Sequence, residues 1–404
     1  MKEITLIFPP SPFLIDDMVM PPLGVLYLAA ALKEGGAKVK VIDLSHNAKL
    51  PQINTKLVGI SATTPQYPYA LDIKEKLKKD GHIVAIGGAH SSGLPEVCLR
   101  DGFDYAVVGE GERAIFELFD LPDQKIIKSD YIEDVNSIAF PDREALDIHA
   151  YKYSIDGLPA STMITSRGCP YSCAFCGNSV WGRKLRLRSP ENIFREAEEL
   201  KKKGFEAIMF FDDIFTLKKD RVLEVCNKLR KLELILRVFT RADTIDEEMA
   251  AALYQAGCRE VGIGSESGSQ KILDTTMKGI SVEQNTKAID ICRRHGIRVK
   301  LFMIIGLPGE TKETIEETRA WLKQVRPDDF DLTIFVPLPT SKIYNNPDSY
   351  ECHFHLDYSK AWFKGIDGKY ESLVSTNALS SEEIVKCRDT IYAELKEELY
   401  EKCN

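Results

Sequence analysis

Three cysteines stand close together, Cys169, Cys173 and Cys176, spaced C-x3-C-x2-C between Thr165 and Gly177. Cysteine thiolates are the usual ligands of iron–sulfur clusters, generally four to a cluster. Three on one short loop leave one iron without a protein ligand, and an open iron is where a small molecule can bind and react. Gly168 and Pro170 suit a tight loop, and Gly177 lets the backbone approach the sulfides closely. Structural zinc is one rival reading. It takes four ligands, often with a second Cys/His pair, and the closest histidines in sequence are His149 and His295. Thiol redox chemistry is the other, because Cys173 and Cys176 alone form C-x-x-C. Spacing and the missing fourth ligand favour the cluster. The remaining seven of the ten cysteines are scattered singly, as buried thiols are.

Such a loop needs a scaffold, and the chain supplies two alternations of strand and helix. The first runs through residues 1–119. Its strands are expected at Ile4–Phe8, Val39–Asp43, Leu57–Ser61, Ile83–Gly87 and Tyr105–Val108, with helices at Leu23–Glu34, Tyr69–Lys79 and Pro95–Arg100. Val/Ile-rich strands separated by helices imply a doubly wound, Rossmann-like parallel sheet covered on both faces. Residues 126–158, punctuated by Pro141, read as a linker after a first domain of 1–125. A second alternation follows, with strands expected at Thr162–Ser166, Ala207–Phe211, Leu236–Thr240, Glu260–Ser265, Val299–Ile305 and Leu332–Val336. Six βα units over 159–340 make a partial (β/α)6 barrel, two units short of a closed one. Residues 341–404 read as a small, mainly α extension covering the substrate. It holds Tyr344, Tyr350, His353, His355, Tyr358, Trp362 and Phe363, then a charged helix from Ser380 to Lys402 whose capping box is Ser380 with Glu383. The fold class is therefore α/β.

Bulk properties narrow the function. The 404 residues are 44% apolar and 28% charged with a net charge of −8. An acidic chain argues against bulk nucleic-acid binding. No apolar run approaches the ~18 residues a membrane helix needs, and Glu3 stands where a signal peptide would be basic. The expectation is no membrane span, no targeting segment and a reducing cytoplasm. The run Arg183, Lys184, Arg186 and Arg188 after the cysteine loop reads as a solvated approach to a helix, or as recognition of a phosphate or carboxylate.

The three-cysteine loop, set after the first strand of a partial barrel, resembles the radical S-adenosylmethionine superfamily over residues ~160–340. The resemblance implies a [4Fe-4S] cluster on Cys169, Cys173 and Cys176, with Phe175 beside the cofactor. It implies S-adenosylmethionine bound at the later strand ends: Asp212 or Asp213 on its amino group, Arg241 on its carboxylate, Ser265 or Glu266 on the ribose or amino group, and Met303 in the adenine-side segment Phe302–Glu310. Asp-Asp stands where many members have Gly-Gly-Glu.

The first domain is similar to the cobalamin-binding domain that precedes many such enzymes. The resembling segments are Pro22-Leu-Gly-Val-Leu-Tyr-Leu28, Gly59-Ile-Ser61, Gly87-Gly-Ala-His90 and Gly109-Glu-Gly-Glu112. The implied corrinoid contacts are Pro9, Pro22, Leu23, Gly24, Tyr27, Ser61, Thr63, Thr64, Gln66, Gly87, Gly88, His90, Gly109, Glu110, Gly111 and Glu112. Asp43-Leu-Ser-His46 departs from the D-x-H-x-x-G of cobalamin mutases, so His46 is not expected on cobalt, and Gly88 and Gly111 are expected to leave room for the ligand. Together the resemblances imply an anaerobic C-methyltransferase acting on an unactivated carbon. It would use two S-adenosylmethionine molecules, one as methyl source through methylcobalamin and one as source of a 5′-deoxyadenosyl radical, with flavodoxin or ferredoxin as electron donor. A radical oxidoreductase, cyclase or rearrangement enzyme without methyl transfer is the alternative. The substrate itself, whether peptide, lipid, tetrapyrrole or antibiotic precursor, is not named by the sequence.

Overall fold

The structure is a computed structural model, and it describes residues 2–14, 16–46, 48–360 and 370–400. Trp362, Phe363 and Lys402 lie outside them. The chain forms two compact units. The first comprises the residues up to Tyr153 with Arg167–Cys169 and Gly177–Leu187, and the second comprises Ser154–Ser166, Pro170–Cys176 and the chain from Arg188 on.

The first unit is built on six parallel strands: β1 (Glu3–Phe8), β2 (Lys38–Asp43), β3 (Leu57–Ser61), β4 (Ile83–Gly87), β5 (Tyr105–Val108) and β6 (Ile126–Lys128), in the order β2-β1-β3-β4-β5-β6. Alternate residues of each strand feed two cores, as a period of two requires. Ile4, Leu6, Val41, Leu57, Ala85 and Val107 pack with the Leu23–Glu34 helix on one face. Ile7, Ile42, Val58, Ile60, Val84, Ile86 and Ala106 pack with the Tyr67–Lys79 helix on the other. The chain reverses its direction of winding between β1 and β3, the place where open sheets of this order bind ligands. Strand β6 falls within the stretch expected to be a linker. Only three residues long, it has too little period to show in sequence, and its pairing with β5 creates it.

The second unit carries a seven-stranded sheet: β7 (Ser154–Ile155), β8 (Leu158–Met163), β9 (Ala207–Phe210), β10 (Ile235–Thr240), β11 (Cys258–Glu266), β12 (Arg298–Ile305) and β13 (Asp329–Ile334). Strands β8 to β13 are all parallel, giving the six βα units of a partial barrel, and β7 pairs antiparallel with β8. Strands β10, β12 and β13 alternate half-buried with fully buried residues. The half-buried face carries ion pairs low down, Arg237–Glu260 at 2.9 Å and Lys300–Asp331 at 3.3 Å, then the edge-to-face rings of Phe239 and Phe302 at 5.5 Å. A Cβ on Gly262 would lie 2.6 and 2.7 Å from those two rings, so glycine is what lets them meet.

Strand β8 ends at Met163, earlier than expected, because the next amides go elsewhere. Asp212 accepts the N–H of Thr165 at 2.6 Å and of Ser166 at 3.0 Å, and also the Thr165 hydroxyl. A carboxylate has replaced the sheet ladder. The C-terminal segment adds an antiparallel pair, Cys352–Phe354 with Val374–Thr376, and a helix over Ser381–Tyr400. That helix is capped by the reciprocal Ser380–Glu383 bonds and docks through Arg388 Nε, which donates to Leu332 O at 2.8 Å.

Glu310, after β12, is fully buried. Its Oε2 accepts the Gly306 N–H at 2.6 Å, while Oε1 has no hydrogen-bond partner among the described residues. Burial pushes its carboxyl up to about 8. The unfolded chain releases this proton near its ordinary value of 4.5, whereas the folded chain keeps it until about 8. Stability is therefore full below the lower value and falls as pH rises through that window. Glu310→Gln should raise the melting temperature at pH 8 by ~2 °C or more, with the gain shrinking toward pH 5. Thermal melts across that range check it. Asp212→Ala should lower stability by ~2–5 kcal/mol by orphaning the Thr165 and Ser166 amides, far more than Asp213→Ala, as read by urea unfolding.

Candidate cofactor sites

In the second unit the carboxyl ends of the parallel strands gather most of the residues singled out from sequence. Arg241, just past β10, is 2% exposed. Its guanidinium donates from Nε to Asp243 at 2.8 Å and from Nη2 to the Lys278 carbonyl, and it lies 3.9 Å from the centre of the Tyr171 ring. Nη1 stands 3.9 Å from Cys173 Sγ. Glu266 ends β11 at a register shift with φ of +65°, a left-handed conformation that a non-glycine residue adopts only when its surroundings hold it there. The holding group is Lys278, whose Nζ is 2.7 Å from Glu266 Oε1. A Cβ on Gly264 would lie 2.7 Å from that same carboxylate oxygen, so glycine makes room for the pair. Lys278 Nζ also sits 5.8 Å from the Phe175 ring, and Ala174 N donates to Thr276 O at 2.8 Å, which ties the cysteine loop to the 276–279 turn.

Several expected contacts stand differently. Asp212 has its carboxylate committed to Thr165 and Ser166, which leaves Asp213 as the exposed member of the pair. Burial, and then the neighbouring Asp212 charge, push Asp213 up to about 6, although its openness to solvent limits the effect. Met303 is 0% exposed and lies on the face opposite Phe302. One residue of register separates the two faces of a strand, and Phe302 and Ile304 are the side chains on the half-buried one. Ser265 is also 0% exposed. Lys278 was missed because no spacing marks it; it follows a short helix, in a turn where Met277 and Gly279 both have positive φ. Cys173 is buried, Cys169 half-buried and Cys176 exposed, and none of the cysteines among the described residues is disulfide-bonded.

In the first unit the strand ends form a surface of two kinds of residue. Ser61, Thr63, Gly87 and Gly109 lie along it; Pro22 and Leu23, expected there, are buried, while Gly24, in the first turn of the Leu23–Glu34 helix, is exposed, with nothing within 4 Å of where a Cβ would stand. Gly87 is nearly as open, with only Val107 Cβ at 3.8 Å. Other residues turn inward and hold the surface together. Gln66, 1% exposed, donates to Pro9 O at 3.0 Å and Ser11 Oγ at 2.9 Å and accepts from Thr63, stapling the loops after β1 and β3 across the switch point. His90 is 0% exposed, stacks on Tyr67 at 3.8 Å, and has Nδ1 3.3 Å from Thr64 Oγ1. Burial lowers its pKa to about 4, so it is a neutral interior group. Tyr27 and Glu110 are likewise buried, and Glu110 with Glu112 faces arginines rather than the surface. Gly88 and Gly111 are not the open positions expected. A Cβ would stand 2.8 Å from Ala62 O at Gly88, whose φ is +95°, and 2.8 Å from Leu28 at Gly111. The basic run after the cysteine loop is interior as well. Arg186 pairs with Glu110 at 2.6 Å and Arg188 with Glu196 at 2.5 Å.

Comparison with known proteins bears on the family and the fold. Residues 163–322 match the family described as the Radical SAM superfamily, and residues 17–119 match the B12 binding domain. A Pyrococcus horikoshii protein named uncharacterized methyltransferase PH0819 is 31% identical over 380 residues, spanning 85% of this chain and 82% of that one. The anaerobic magnesium-protoporphyrin IX monomethyl ester cyclase of Rubrivivax gelatinosus is 29% identical over 368 residues, 80% of this chain and 66% of its own. In fold, the radical S-adenosylmethionine methyltransferase TsrM from Kitasatospora setae, solved with cobalamin and a [4Fe-4S] cluster, aligns with a TM-score of 0.73 at 18% identity, covering 97% of this chain and 91% of that one. The chain thus belongs to the radical SAM superfamily, as a member whose partial barrel follows a B12 binding domain.

Proposed function

We propose that the protein is a cobalamin-dependent C-methyltransferase that consumes two molecules of S-adenosylmethionine for each unactivated carbon it methylates. The observation that carries this reading is the union, in one chain, of a three-thiol loop on a partial barrel with a parallel sheet whose backbone is bare at the strand end Gly87 and, in the first turn of the Leu23–Glu34 helix, at Gly24. The name of the Pyrococcus relative supports methyl transfer. The name of the Rubrivivax relative keeps a second reading, a radical cyclase or oxidoreductase built from the same parts.

The residues suit the groups they would hold. Cys169, Cys173 and Cys176 offer three thiols, a donor set that fits a [4Fe-4S] cluster with one open iron. The bound cofactors would supply reductive cleavage of S-adenosylmethionine and a carrier for its methyl group. The chain's own groups bind and orient. Asp213 would accept the substrate ammonium, Glu266, fixed by Lys278, would accept hydroxyls, and Arg241 braces the cysteine loop through Cys173 and the turn that carries Lys278. Gly24, Gly87 and the Gly109 backbone let a flat corrinoid lie close. Reduction needs an external one-electron donor such as flavodoxin or ferredoxin.

Reconstituted protein should bind about four irons, and the triple change of Cys169, Cys173 and Cys176 to Ala should abolish the charge-transfer absorbance. Gly24→Trp and Gly87→Trp should lose hydroxocobalamin binding and keep the iron. S-Adenosylmethionine affinity should weaken about tenfold as pH falls from neutral through the range in which Asp213 takes up a proton and no longer pairs with the ammonium; Asp213→Asn should bind weakly at every pH, as isothermal titration would show. For the reaction, methyl-deuterated S-adenosylmethionine is incubated with holoenzyme and a small-molecule extract of the host cell. Methyl transfer predicts a labelled product with 5′-deoxyadenosine and S-adenosylhomocysteine in equal amounts. A product formed with 5′-deoxyadenosine and no label replaces this reading with the cyclase or oxidoreductase.

A further inference from the structure

Two arginines that flank the cysteine loop in sequence are folded into the first unit, and their charges are buried there. Arg186 Nη1 lies 2.6 Å from Glu110 Oε1, and Arg167 Nη1 lies 3.5 Å from the same oxygen. Arg167 Nη2 reaches Glu112 Oε1 at 2.5 Å, and Glu110 Oε2 accepts the Ile132 N–H at 2.8 Å. Arg186 further donates to Ile132 O and Trp181 O. Side-chain exposure runs from 0% for Glu110 to 10% for Glu112. Aromatic rings close the network: Tyr27 and Trp181 stand 5.4 and 5.8 Å from the Arg167 guanidinium, and Tyr131 stands 4.8 Å from that of Arg186.

Stability does not account for four buried charges. Taking ions out of water costs several kcal/mol each, and apolar groups of the same volume often serve a fold as well or better. What charges with forked geometry do supply is position. Here the positioned element is the first cysteine. Arg167 precedes Cys169 by two residues, and the link between them has little freedom. Gly168 has φ of +86°, and any Cβ there would stand 2.3 Å from Lys184 O; Cys169 N donates to Gly182 O at 3.3 Å. At the other end, Glu110 lies between Gly109 and Gly111 in the loop after β5, and Gly109 N donates to Ser92 Oγ at 3.0 Å. A displacement of that loop moves two carboxylates, and with them the guanidinium that fixes Cys169.

We infer that Arg167, Glu110, Arg186 and Glu112 are positioning residues that tie Cys169 to the Gly109–Glu112 loop, so that corrinoid binding at that loop and iron–sulfur loading of the cysteines are energetically coupled. The inference rests on the proposed reading of the two cofactor surfaces. Coupling between two bound groups is reciprocal, each raising the other's affinity by the same factor.

The test titrates hydroxocobalamin into the cluster-loaded protein and into the Cys169→Ala, Cys173→Ala, Cys176→Ala protein, with iron content measured alongside. The loaded form should bind about 5–150-fold more tightly. In Glu112→Gln, which keeps the Glu110–Arg186 core, that ratio should collapse toward one, whatever happens to either absolute affinity. Arg167→Lys, which keeps the charge and loses the fork, should recover only part of it and serves equally if the first variant folds poorly. The iron-57 Mössbauer spectrum of the oxidised cluster should shift on adding hydroxocobalamin to the unaltered protein and stay still in Glu112→Gln, a change that a purely structural role would not produce. A ratio of one in the unaltered protein, or a full ratio in both variants, overturns the coupling while leaving both cofactor readings standing. Absence of hydroxocobalamin binding in either form overturns the reading of the first unit, and the coupling with it.

Discussion

Everything in the second unit hangs on how one buried carboxylate ends a strand. A parallel strand must stop pairing before its chain can leave the sheet, and each amide freed on the way needs an acceptor. Asp212 supplies that acceptor for Thr165 and Ser166. Its burial raises its pKa, and the Thr165 and Ser166 hydrogen bonds and the Arg221 charge oppose the rise. The carbonyl side of the same stretch is held by arginines, Arg221 Nη2 donating to Thr165 O at 2.7 Å and Arg188 Nη1 to Ile164 O at 2.6 Å. Thr165 thus leaves the sheet with its backbone N–H, carbonyl and hydroxyl all bonded, and Ile164 and Ser166 are each held on one side of it.

The same solution recurs wherever the chain must present a functional segment. Glu266 with Lys278, Arg241 with Asp243, and Arg188 with Glu196 are buried or nearly buried opposite-charge pairs at or beside strand ends. Each would be a poor bargain as a source of stability, since desolvation offsets most of the attraction. Each is effective at excluding alternative backbone paths, because a misplaced partner leaves a bare charge in the interior. Glu310 is the contrasting case. With no cation beside it, its carboxyl holds its proton instead, and the Gly306 amide takes the one acceptor it needs.

The strands were legible where short, mostly apolar runs are bounded by turn residues, because burial on both faces leaves few polar interruptions; β3, β4 and β5 occupy the residues expected. The capping box at Ser380 and Glu383 was legible for a different reason, since a cap is a local contact of fixed spacing. What sequence concealed was direction. Gln66, His90, Glu110 and Asp212 are residue types that a ligand surface would use, and each is turned into the protein by a partner far along the chain: Pro9, Tyr67, Arg186 and Thr165. Met303 is a case of parity, one residue away from the side chains on the half-buried face. Lys278 and Arg167 went unnoticed because their meaning is entirely tertiary.

Glycine shows how that ambiguity resolves. A glycine at a strand end is consistent with two opposite needs, a bare backbone for a ligand or a tight backbone for the fold. Gly88 and Gly168 answer the second need, having positive φ and protein atoms where a Cβ would go, whereas Gly24 and Gly87 answer the first, with open space. In sequence the four are indistinguishable. The distinction has a physical consequence for how the surface evolves. A side chain at Gly88 or Gly168 distorts the scaffold for every ligand, so those positions report on folding. A Cβ at Gly24 or Gly87 meets no protein atom closer than ordinary van der Waals contact, so those two positions can carry one without disturbing the sheet.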